Sequence, residues 1–249
     1  MKKVLITGAS RRIGASLAIA CAKDNWHVVL HYNKNTEMVN KVKKEIFKFN
    51  KKVEIVCADL SKENEVEKLI ESANNSGKIN ALINNASIFN YDTAATFNPK
   101  SIIDHITVNS IAPAILIKNM FNNLSKGEKA NVVNILDAKL FGMNPDYFSY
   151  TLSKALLDQI NKITAQEFAP FIRINAIAPG IVLPSGKQSL SQFKKAHKKN
   201  PLKNGANIDE LIKVMHLLLN TKTMTGEVII LDGGNHLQPT PRDVAFMED

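Results

Sequence analysis

The sequence has no long hydrophobic run and almost no cysteine. Its apolar stretches fall well short of the roughly 18 residues that a membrane-spanning helix needs. The opening MKKVLITGAS breaks its short apolar run too early for a signal peptide. The two cysteines, Cys21 and Cys57, lie far apart in apolar runs, which predicts buried, reduced thiols and excludes a disulfide scaffold. We therefore expect a cytoplasmic protein with no membrane partner.

Metal-ligand spacing is missing among the six histidines. His27 and His31 are four residues apart, which on a strand separates them by roughly 13 Å, too far for one ion. The other four are isolated in the sequence and lack the spacing of ligand pairs. We predict no metal site, and we expect His105 to lie in a helix near Asn109.

The net charge of +9 raises the question of a nucleic-acid partner. The lysines are scattered over several predicted helices, and no basic motif with interleaved aromatic residues accompanies them. Solvated helix faces and a preference for anionic ligands explain the charge more simply. The sequence favours a small-molecule substrate over nucleic acid.

The 249 residues, 45% hydrophobic and 22% charged, are enough for one large α/β domain over 1–249. Short apolar runs alternate with amphipathic stretches. The predicted strands are Val4–Thr7, Val28–His31, Val53–Cys57, Ala81–Asn84, Val132–Ile135, Ile172–Ile177 and Val228–Leu231. The predicted helices are Gly14–Asn25, Thr36–Asn50, Lys62–Ser76, Ser101–Leu124, Tyr147–Phe168 and Asn207–Leu219. This alternation predicts a Rossmann-type, doubly wound fold with a mostly parallel sheet of about seven strands and helices on both faces.

Two segments do not fit this alternation. Residues 180–206 match neither period and contain several prolines and glycines, which indicates either a substrate-binding loop or lid, or a plain surface loop. For the C-terminal tail, residues 238–249, closure of a neighbouring subunit's site and disorder are both open.

A tyrosine and a lysine one helical turn apart form the first candidate catalytic pair. Tyr150 and Lys154 share one face of a predicted helix, because side chains at i and i+4 are neighbours. A nearby ammonium lowers the pKa of a phenol from about 10, so the pair predicts a general acid. The same spacing also occurs on partly solvated helix faces, so its function depends on a nicotinamide site beside it.

The first predicted strand runs into a turn that suits a pyrophosphate. Glycines allow a tight turn, and the N–H groups at the start of the next helix attract an anion. The cofactor-binding candidates in this turn are Gly8, Ser10, Arg11, Arg12, Ile13 and Gly14.

The end of the second predicted strand lacks an acidic residue. An NAD enzyme places an Asp or Glu there to bind the ribose 2′-hydroxyl, whereas this chain reads HYNKN. Lys34 and Arg11 are placed to neutralise a 2′-phosphate, with Asn33 beside them, so we predict NADPH rather than NADH. The alternative is that both cations are solvent-facing loop residues.

Nearly the whole chain resembles the short-chain dehydrogenase/reductase family. The motifs that carry the resemblance are TGASRRIG, CADL, NNAS, TVNSIAP, the pair Tyr150 and Lys154, NAIAPG and TGEVIILDGG. The resemblance implies a relay of Asn109, Tyr150 and Lys154, a helix kink supported by Asn109, and a homo-oligomer, commonly a tetramer. The further cofactor contacts that it implies are Asp59, Leu60, Asn85, Ala86, Ser87, Tyr150, Lys154, Pro179, Gly180 and Val182.

Three positions depart from the common pattern of that family. Asp137 stands thirteen residues before Tyr150, where the family usually has serine. Arg12 replaces the middle glycine of the first motif, and Ser87 stands where glycine is common. The chain resembles the pteridine reductase and dihydromonapterin reductase branch, which shares these departures. That resemblance implies substrate contacts from Arg12, Ser87, Phe89, Asp137, Tyr147 and Tyr150, with Phe89 stacked on a pterin ring.

The chemistry of these residues is consistent with a ring substrate. An aromatic face suits a flat heterocycle, and a carboxylate can anchor or help to protonate ring nitrogens. At a ketone the same anion would oppose the negative charge that develops on oxygen. The alternatives are a core role for Phe89, an acidic partner for Arg12, and a capping or loop role for Asp137. For Tyr147 the sequence leaves two alternatives, a place in the pocket wall and no role in the site.

A further departure concerns the cofactor's carboxamide. The family often has a threonine after PGxVx, whereas this chain has Pro184, which carries no side-chain donor. The backbone of Val182 is the replacement that we consider.

These patterns together predict an NADPH-dependent reductase that transfers a hydride to the C=N bond of a pterin-like ring, with Tyr150 as proton donor. The first alternative is a carbonyl reductase of the same family that acts on a 3-oxoacyl thioester or another ketone. The second is a non-catalytic NADPH-binding sensor, against which the complete set of Asn109, Tyr150 and Lys154 argues.

Overall fold

A computed structural model describes residues 1–184, 189–238, 240–243 and 246. Seven strands form one sheet in the order β3-β2-β1-β4-β5-β6-β7, and every neighbouring pair is parallel. The strands are β1 (Lys3–Ile6), β2 (His27–Tyr32), β3 (Val53–Cys57), β4 (Ala81–Asn84), β5 (Ala130–Ile135), β6 (Ile172–Pro179) and β7 (Val228–Leu231). The predicted doubly wound parallel sheet is confirmed, with strand bounds that differ by at most two residues.

Helices cover both faces of the sheet because alternate strand residues point to opposite sides. Val4 and Ile6 of β1 pack in one apolar cluster with Leu17 and Met215, and Leu5 packs in a second cluster with Leu116. The helices are α1 (Arg12–Lys23), α2 (Thr36–Phe47), α3 (Glu63–Asn74), α4 (Pro99–Ile106), α5 (Ala112–Asn122), α6 (Phe148–Glu167), α7 (Leu190–Ala196) and α8 (Ile208–Asn220). None of them combines the length and apolarity of a membrane span within the described residues.

Two predictions about regular structure need correction. The predicted helix Ser101–Leu124 is divided into α4, a π-helical turn over Thr107–Ile111 and α5. The segment 180–206 is not irregular throughout, because Ser189 and Gln192 form a capping box that starts α7. Residues 185–188 of that segment lie outside the described residues, as does half of the predicted tail, 238–249.

The cysteine prediction is right for one residue only. Cys21 is buried in α1, whereas Cys57 is exposed. Cys57 is the last residue of β3, which is an edge strand of the sheet and lacks a neighbour on one side. Apolar sequence context therefore did not ensure burial there.

The chain changes direction across the sheet between β1 and β4. From β1 it proceeds to β2 and β3 on one side, and from β4 it proceeds to β5, β6 and β7 on the other. In open α/β sheets this reversal leaves a crevice at the carboxyl ends of the two central strands, where ligands bind. The candidate site residues lie in the segments that follow β1, β2, β3, β4, β5 and β6.

Candidate active site

The turn after β1 packs so tightly that it requires glycine. Gly8 has a φ of +64°, and a Cβ on Gly14 would lie 2.3 Å from the Gly8 carbonyl oxygen. Asn85 holds the turn by donating from Nδ2 to the carbonyl oxygen of Thr7 at 2.8 Å. The Thr7 hydroxyl in turn accepts the backbone N–H groups of Asn85 and Ala86, both at 3.0 Å. These hydrogen bonds therefore fix the turn to the end of β4.

The N-terminus of α1 is open to an anion. Arg11 precedes the helix, and no side chain caps the first N–H groups. These groups, which lie near Ser10 and Ile13, and the positive end of the helix dipole suit a pyrophosphate.

Arg12 has the backbone conformation of the glycine that it replaces. Its φ is +54°, a region that side chains with a Cβ rarely adopt. Its guanidinium donates to the carbonyl oxygens of Pro184 and Leu183, in the segment after β6. The sequence left an acidic partner for Arg12 as an alternative, whereas the groups that its guanidinium contacts are backbone carbonyls.

A buried histidine supports the glycine turn from below. His31, the fifth residue of β2, is 2% exposed and accepts the Gly8 N–H at Nδ1 across 3.1 Å. Its Nε2 lies 3.0 Å from the carbonyl oxygen of Ala58, so that nitrogen carries the proton. Burial lowers the pKa of His31 to about 4 and keeps the ring neutral.

The ends of β2 and β3 form a second part of the cofactor crevice. Asn33 and Lys34 are exposed there, and no carboxylate follows β2 directly. Asp59 follows β3 and accepts the N–H and hydroxyl of Ser61 at 3.0 Å and 2.8 Å. Leu60 beside it is buried. The cations Lys34 and Arg11 are exposed and placed in segments that border the crevice.

Tyr150, Asp137 and Lys154 meet in one buried cluster. The Tyr150 hydroxyl donates to Oδ2 of Asp137 at 2.8 Å. The other carboxylate oxygen, Oδ1, accepts the N–H of Lys139 at 2.9 Å and caps the short helix Ala138–Phe141. The Lys154 ammonium donates to the carbonyl oxygen of Ile135 at 2.7 Å. The capping alternative for Asp137 and its contact with Tyr150 are therefore both present, one on each oxygen.

The expected lowering of the Tyr150 pKa is wrong for these protein groups. Burial and the adjacent Asp137 carboxylate hold the pKa of Tyr150 well above its ordinary value. Burial raises the pKa of Asp137 and lowers the pKa of Lys154 to about 8. Lys154 Nζ lies 5.8 Å from the Tyr150 ring centroid, whereas Asp137 is in direct contact, so the anion dominates. Tyr150 and Asp137 therefore hold their protons more tightly than usual, whereas Lys154 holds its proton less tightly.

Asn109 lies in the π-helical turn, as the predicted helix kink required. Its amide accepts the Ile88 N–H at 2.9 Å and donates to the Ile88 carbonyl at 3.0 Å and the Ser153 hydroxyl at 2.9 Å. Pro113, four residues later, has no N–H to give to the Asn109 carbonyl, which disturbs the helix at this point. His105, one turn earlier, is buried and accepts the Asn90 N–H at Nε2 across 3.2 Å.

Aromatic rings form an open wall beside Tyr150. Phe89 is 45% exposed, which excludes the core role, and its ring stacks on Tyr147 with centroids 4.1 Å apart. The rings of Phe89 and Tyr150 lie nearly perpendicular to each other with centroids 4.6 Å apart. Ser87 lies exposed two residues before Phe89. Tyr147, whose role the sequence left undecided, therefore lies in the predicted substrate region.

The segment after β6 closes the crevice on its other side. The Gly180 N–H donates to the Leu231 carbonyl at 2.8 Å, and a Cβ on Gly180 would lie 2.8 Å from the Asp232 Cβ. Pro179 and Val182 are buried, and the side chain of Val182 packs in the apolar core. The side chain of Val182 therefore takes no part in the crevice, and a cofactor contact from its backbone stays a prediction.

Several site residues were missed by sequence reasoning. The first is His31, for which only its place at the end of a predicted strand was a signal. The others flank the aromatic wall and are Tyr91, Lys139, Asp146, Arg242 and Phe246. Lys139 and Tyr91 lie two residues from predicted site residues, which was a usable signal, whereas Arg242 and Phe246 had none. No group of three or more His, Cys, Asp or Glu side chains in the described ranges is placed to hold a metal ion.

Comparison with known proteins agrees with this geometry. The family model described as short chain dehydrogenase matches residues 2–195. The crystal structure of FolM alternative dihydrofolate reductase 1 from Brucella suis, in complex with NADP, has a TM-score of 0.91 and 34% identity, and the match covers 96% of this chain and 97% of that one.

Two curated proteins match over nearly the full length of this chain. The 3-oxoacyl-(acyl-carrier-protein) reductase FabG of Staphylococcus epidermidis is 26% identical over 242 residues, which cover 95% of this chain and 99% of the relative. The dihydromonapterin reductase of Escherichia coli is 24% identical over 242 residues, which cover 94% and 97%. The chain therefore belongs to the short-chain dehydrogenase/reductase family of oxidoreductases, and its relatives include reductases of the pteridine branch that its sequence resembles.

Proposed function

We propose that this protein is an NADPH-dependent reductase that reduces the C=N bond of a dihydropterin-like ring. The observation that carries the proposal is the hydrogen bond from Tyr150 to Asp137, 2.8 Å long, beside the open aromatic face of Phe89. A ring nitrogen that gains a proton is well served by a hydroxyl backed by a carboxylate. A flat heterocycle is well served by the adjacent aromatic rings.

The crevice fits NADPH, which supplies the hydride when it is bound. The tightly packed glycine turn and the uncapped start of α1 suit its pyrophosphate. Exposed Arg11 and Lys34, with no carboxylate directly after β2, suit a 2′-phosphate rather than a free ribose hydroxyl. The complex of the Brucella suis relative with NADP supports the same cofactor.

The protein's own chemistry is the delivery of one proton. As the ring carbon gains a hydride, Tyr150 gives its hydroxyl proton to the ring nitrogen. Asp137 holds the hydroxyl in place, and a proton from solvent then restores the phenol, so that each turnover consumes one hydride and one solvent proton. Asn109 acts by shaping the helix turn behind Tyr150, since its amide is fully engaged with Ile88 and Ser153.

A carbonyl reductase is the second candidate, supported by the similarity to a 3-oxoacyl thioester reductase. The charge on position 137 argues against it. A developing alkoxide is stabilised by donors, whereas Asp137 presents a carboxylate to the same hydroxyl.

The deciding experiment is an NADPH-oxidation assay with dihydromonapterin, dihydrofolate and an acetoacetyl thioester, on wild type and Asp137→Ser. We expect wild type to reduce a pterin and to leave the thioester nearly untouched. Asp137→Ser should lose pterin activity by a factor of about 10²–10⁴, the usual contribution of proton-transfer catalysis. Preferential reduction of the thioester by wild type would establish the second candidate, and binding without any turnover would establish a sensor.

We also propose that the protein forms a homo-oligomer. Leu152, Leu156 and Ile163 lie on one exposed face of α6 and are 41%, 38% and 65% exposed. Helix α4, which packs on α6, adds Ile103 with 61% exposure. Such an apolar face is typical of an interface between copies.

A further inference from the structure

The C-terminal strap, which we define as residues 240–243 with Phe246, lies against the aromatic wall of the site. Arg242 Nε donates to both carboxylate oxygens of Asp146, at 3.0 Å and 2.8 Å. The backbone N–H of Asp243 donates to the same carboxylate at 2.7 Å. Two consecutive strap residues are therefore held by one side chain, just before α6.

Asp146 forms a built seat for the strap. Its side chain is 1% exposed and also accepts the Tyr91 hydroxyl at 3.0 Å. Arg242 adds a bond from Nη2 to the Tyr91 hydroxyl at 3.3 Å. A buried carboxylate is costly unless it is paired and hydrogen-bonded, and removal of Arg242 takes away its cation and leaves only the Tyr91 and Asp243 hydrogen bonds. The ion pair between Arg242 and Asp146 therefore favours the conformation in which the strap lies against Asp146.

The strap reaches the proton donor through a chain of ring contacts. Phe246 lies 5.1 Å from Tyr91 and 6.0 Å from Tyr147 between ring centroids. Tyr147 stacks on Phe89, which in turn packs nearly perpendicular to Tyr150. Phe246 is thus the outer member of the wall on which the substrate ring is expected to lie.

Tyr147 needs this support because its backbone is strained. Its φ is +55°, in the left-handed region, which is unfavourable for a bulky residue. Phe89, Tyr91 and Phe246 surround its ring, and the Lys139 ammonium lies 5.4 Å from its centroid. Such a conformation persists only where neighbours over-determine it.

Lys139 connects the same seat to the catalytic carboxylate. Its ammonium donates to the Asp146 carbonyl oxygen, and its backbone N–H donates to Oδ1 of Asp137. The position of the strap is therefore linked to both the aromatic wall and the proton-donating cluster.

We propose that Arg242 and Phe246 determine substrate specificity, because the Arg242–Asp146 pair seats the strap and Phe246 closes the aromatic wall around the substituent of a planar heterocycle. The inference rests on the proposed function for the identity of that heterocycle. It goes beyond it in assigning the outer boundary of the pocket to the C-terminus of the same chain.

The seating of the strap is tested without substrate. Hydrogen exchange of the Asp243 backbone amide is measured by NMR in wild type, Arg242→Ala and Asp146→Asn. We expect protection in wild type and at least tenfold faster exchange in both variants. The matched control is Glu128→Gln. It breaks an exposed ion pair of 3.0 Å between Glu128, just before β5, and Lys78, just before β4. Equal exchange in wild type and Arg242→Ala would overturn the proposal.

The role of the strap in specificity is tested by steady-state kinetics on Arg242→Ala, Asp146→Asn and Phe246→Ala, again with Glu128→Gln as the control. In the first three variants we expect the pterin KM to rise about tenfold, with kcat within twofold and the NADPH KM unchanged, since ground-state binding of the pterin is lost. Phe246→Ala should also narrow the gap in KM between substrates with small and substrates with bulky ring substituents. Unchanged pterin KM values and an unchanged gap, with only a lower Tm, would show a purely structural strap and overturn the proposal.

Failure of the proposed function is distinguishable from failure of the strap. If wild type reduces the acetoacetyl thioester and no pterin, the proposed function fails. The exchange experiment still decides whether the strap is seated. The KM comparison, made with the thioester, then decides whether the strap bounds the pocket.

Discussion

The hydroxyl of Tyr150 donates to Oδ2 of Asp137 across 2.8 Å, and this contact sets the protonation chemistry of the site. Burial, together with the adjacent Asp137 carboxylate, raises the pKa of Tyr150 well above its ordinary value, so the phenol keeps its proton. The buried Lys154 ammonium, with a pKa lowered to about 8, is the more readily titrated member of the cluster. The pH dependence of the enzyme should therefore report Lys154 rather than Tyr150.

Removal of the Tyr150 hydroxyl should nearly abolish turnover. Tyr150→Phe keeps the ring packed against Phe89 and removes only the proton donor. We expect kcat to fall by a factor of about 10²–10⁴, while NADPH binding, followed by fluorescence titration, stays within about twofold because the glycine turn is untouched. Wild-type activity in this variant would contradict the assignment.

The alkaline limb of kcat/KM should follow Lys154. The ammonium is protonated below about pH 8 and loses its charge above it, whereas Tyr150 titrates higher. We therefore expect wild-type kcat/KM to decline above about pH 8, because the cluster loses one of its protons. Lys154→Arg retains its proton, so its limb should move to higher pH. A flat wild-type profile up to about pH 10, or the same limb in the variant, is the contrary result.

His31 should be required for NADPH binding although it lies beneath the turn. His31→Leu removes the acceptor of the Gly8 N–H and leaves the Ala58 carbonyl without its donor. We expect NADPH binding to weaken about tenfold, which corresponds to about 1.4 kcal/mol. His31→Gln should restore part of the loss, and His216→Gln, a partly exposed histidine paired with Asp24, serves as the control. Unchanged affinity in His31→Leu would show that the turn holds without it.

The stability of the wild-type fold should also fall in acid. The folded pKa of His31, about 4, lies below its ordinary value of 6.5. The neutral ring therefore stabilises the fold fully above pH 6.5, and this contribution is lost progressively as the pH falls from 6.5 through about 4. The free energy of unfolding, measured against pH in wild type and His31→Gln, checks the sign, and an equal pH dependence in the two proteins would contradict it.

The apolar face of α6 should hold copies of the protein together. Ile163→Glu places a charge at its most exposed member, so we expect a smaller assembly by light scattering after size-exclusion chromatography. Phe47→Glu changes a similarly exposed apolar residue on α2 and should leave the assembly unchanged. A wild-type monomer, or an assembly that survives Ile163→Glu, would place any interface elsewhere.

Local pattern was sufficient for the fold and for part of the site. The short apolar runs predicted all seven strands, because a parallel strand that helices cover on both faces is apolar at nearly every position. Gly8 and Gly14 were predictable because a turn this tight admits no side chain. The helix α7 was missed although Ser189 and Gln192 carried its start signal, and the roles of the cofactor residues remain predictions.

The tertiary structure decided what depends on neighbours distant in sequence. Whether Asp137 or Lys154 controls the Tyr150 pKa depends on which group is in contact after folding, and the answer reversed the expectation. The pairing of Arg242 with Asp146 joins residues 96 positions apart and has no sequence period. The sequence by itself determined the sheet, the glycine turn and the residues available for catalysis, because short-range sterics and burial govern them. Only folding determined the order of their pKa values and the outer wall of the pocket, since burial and long-range contact govern both.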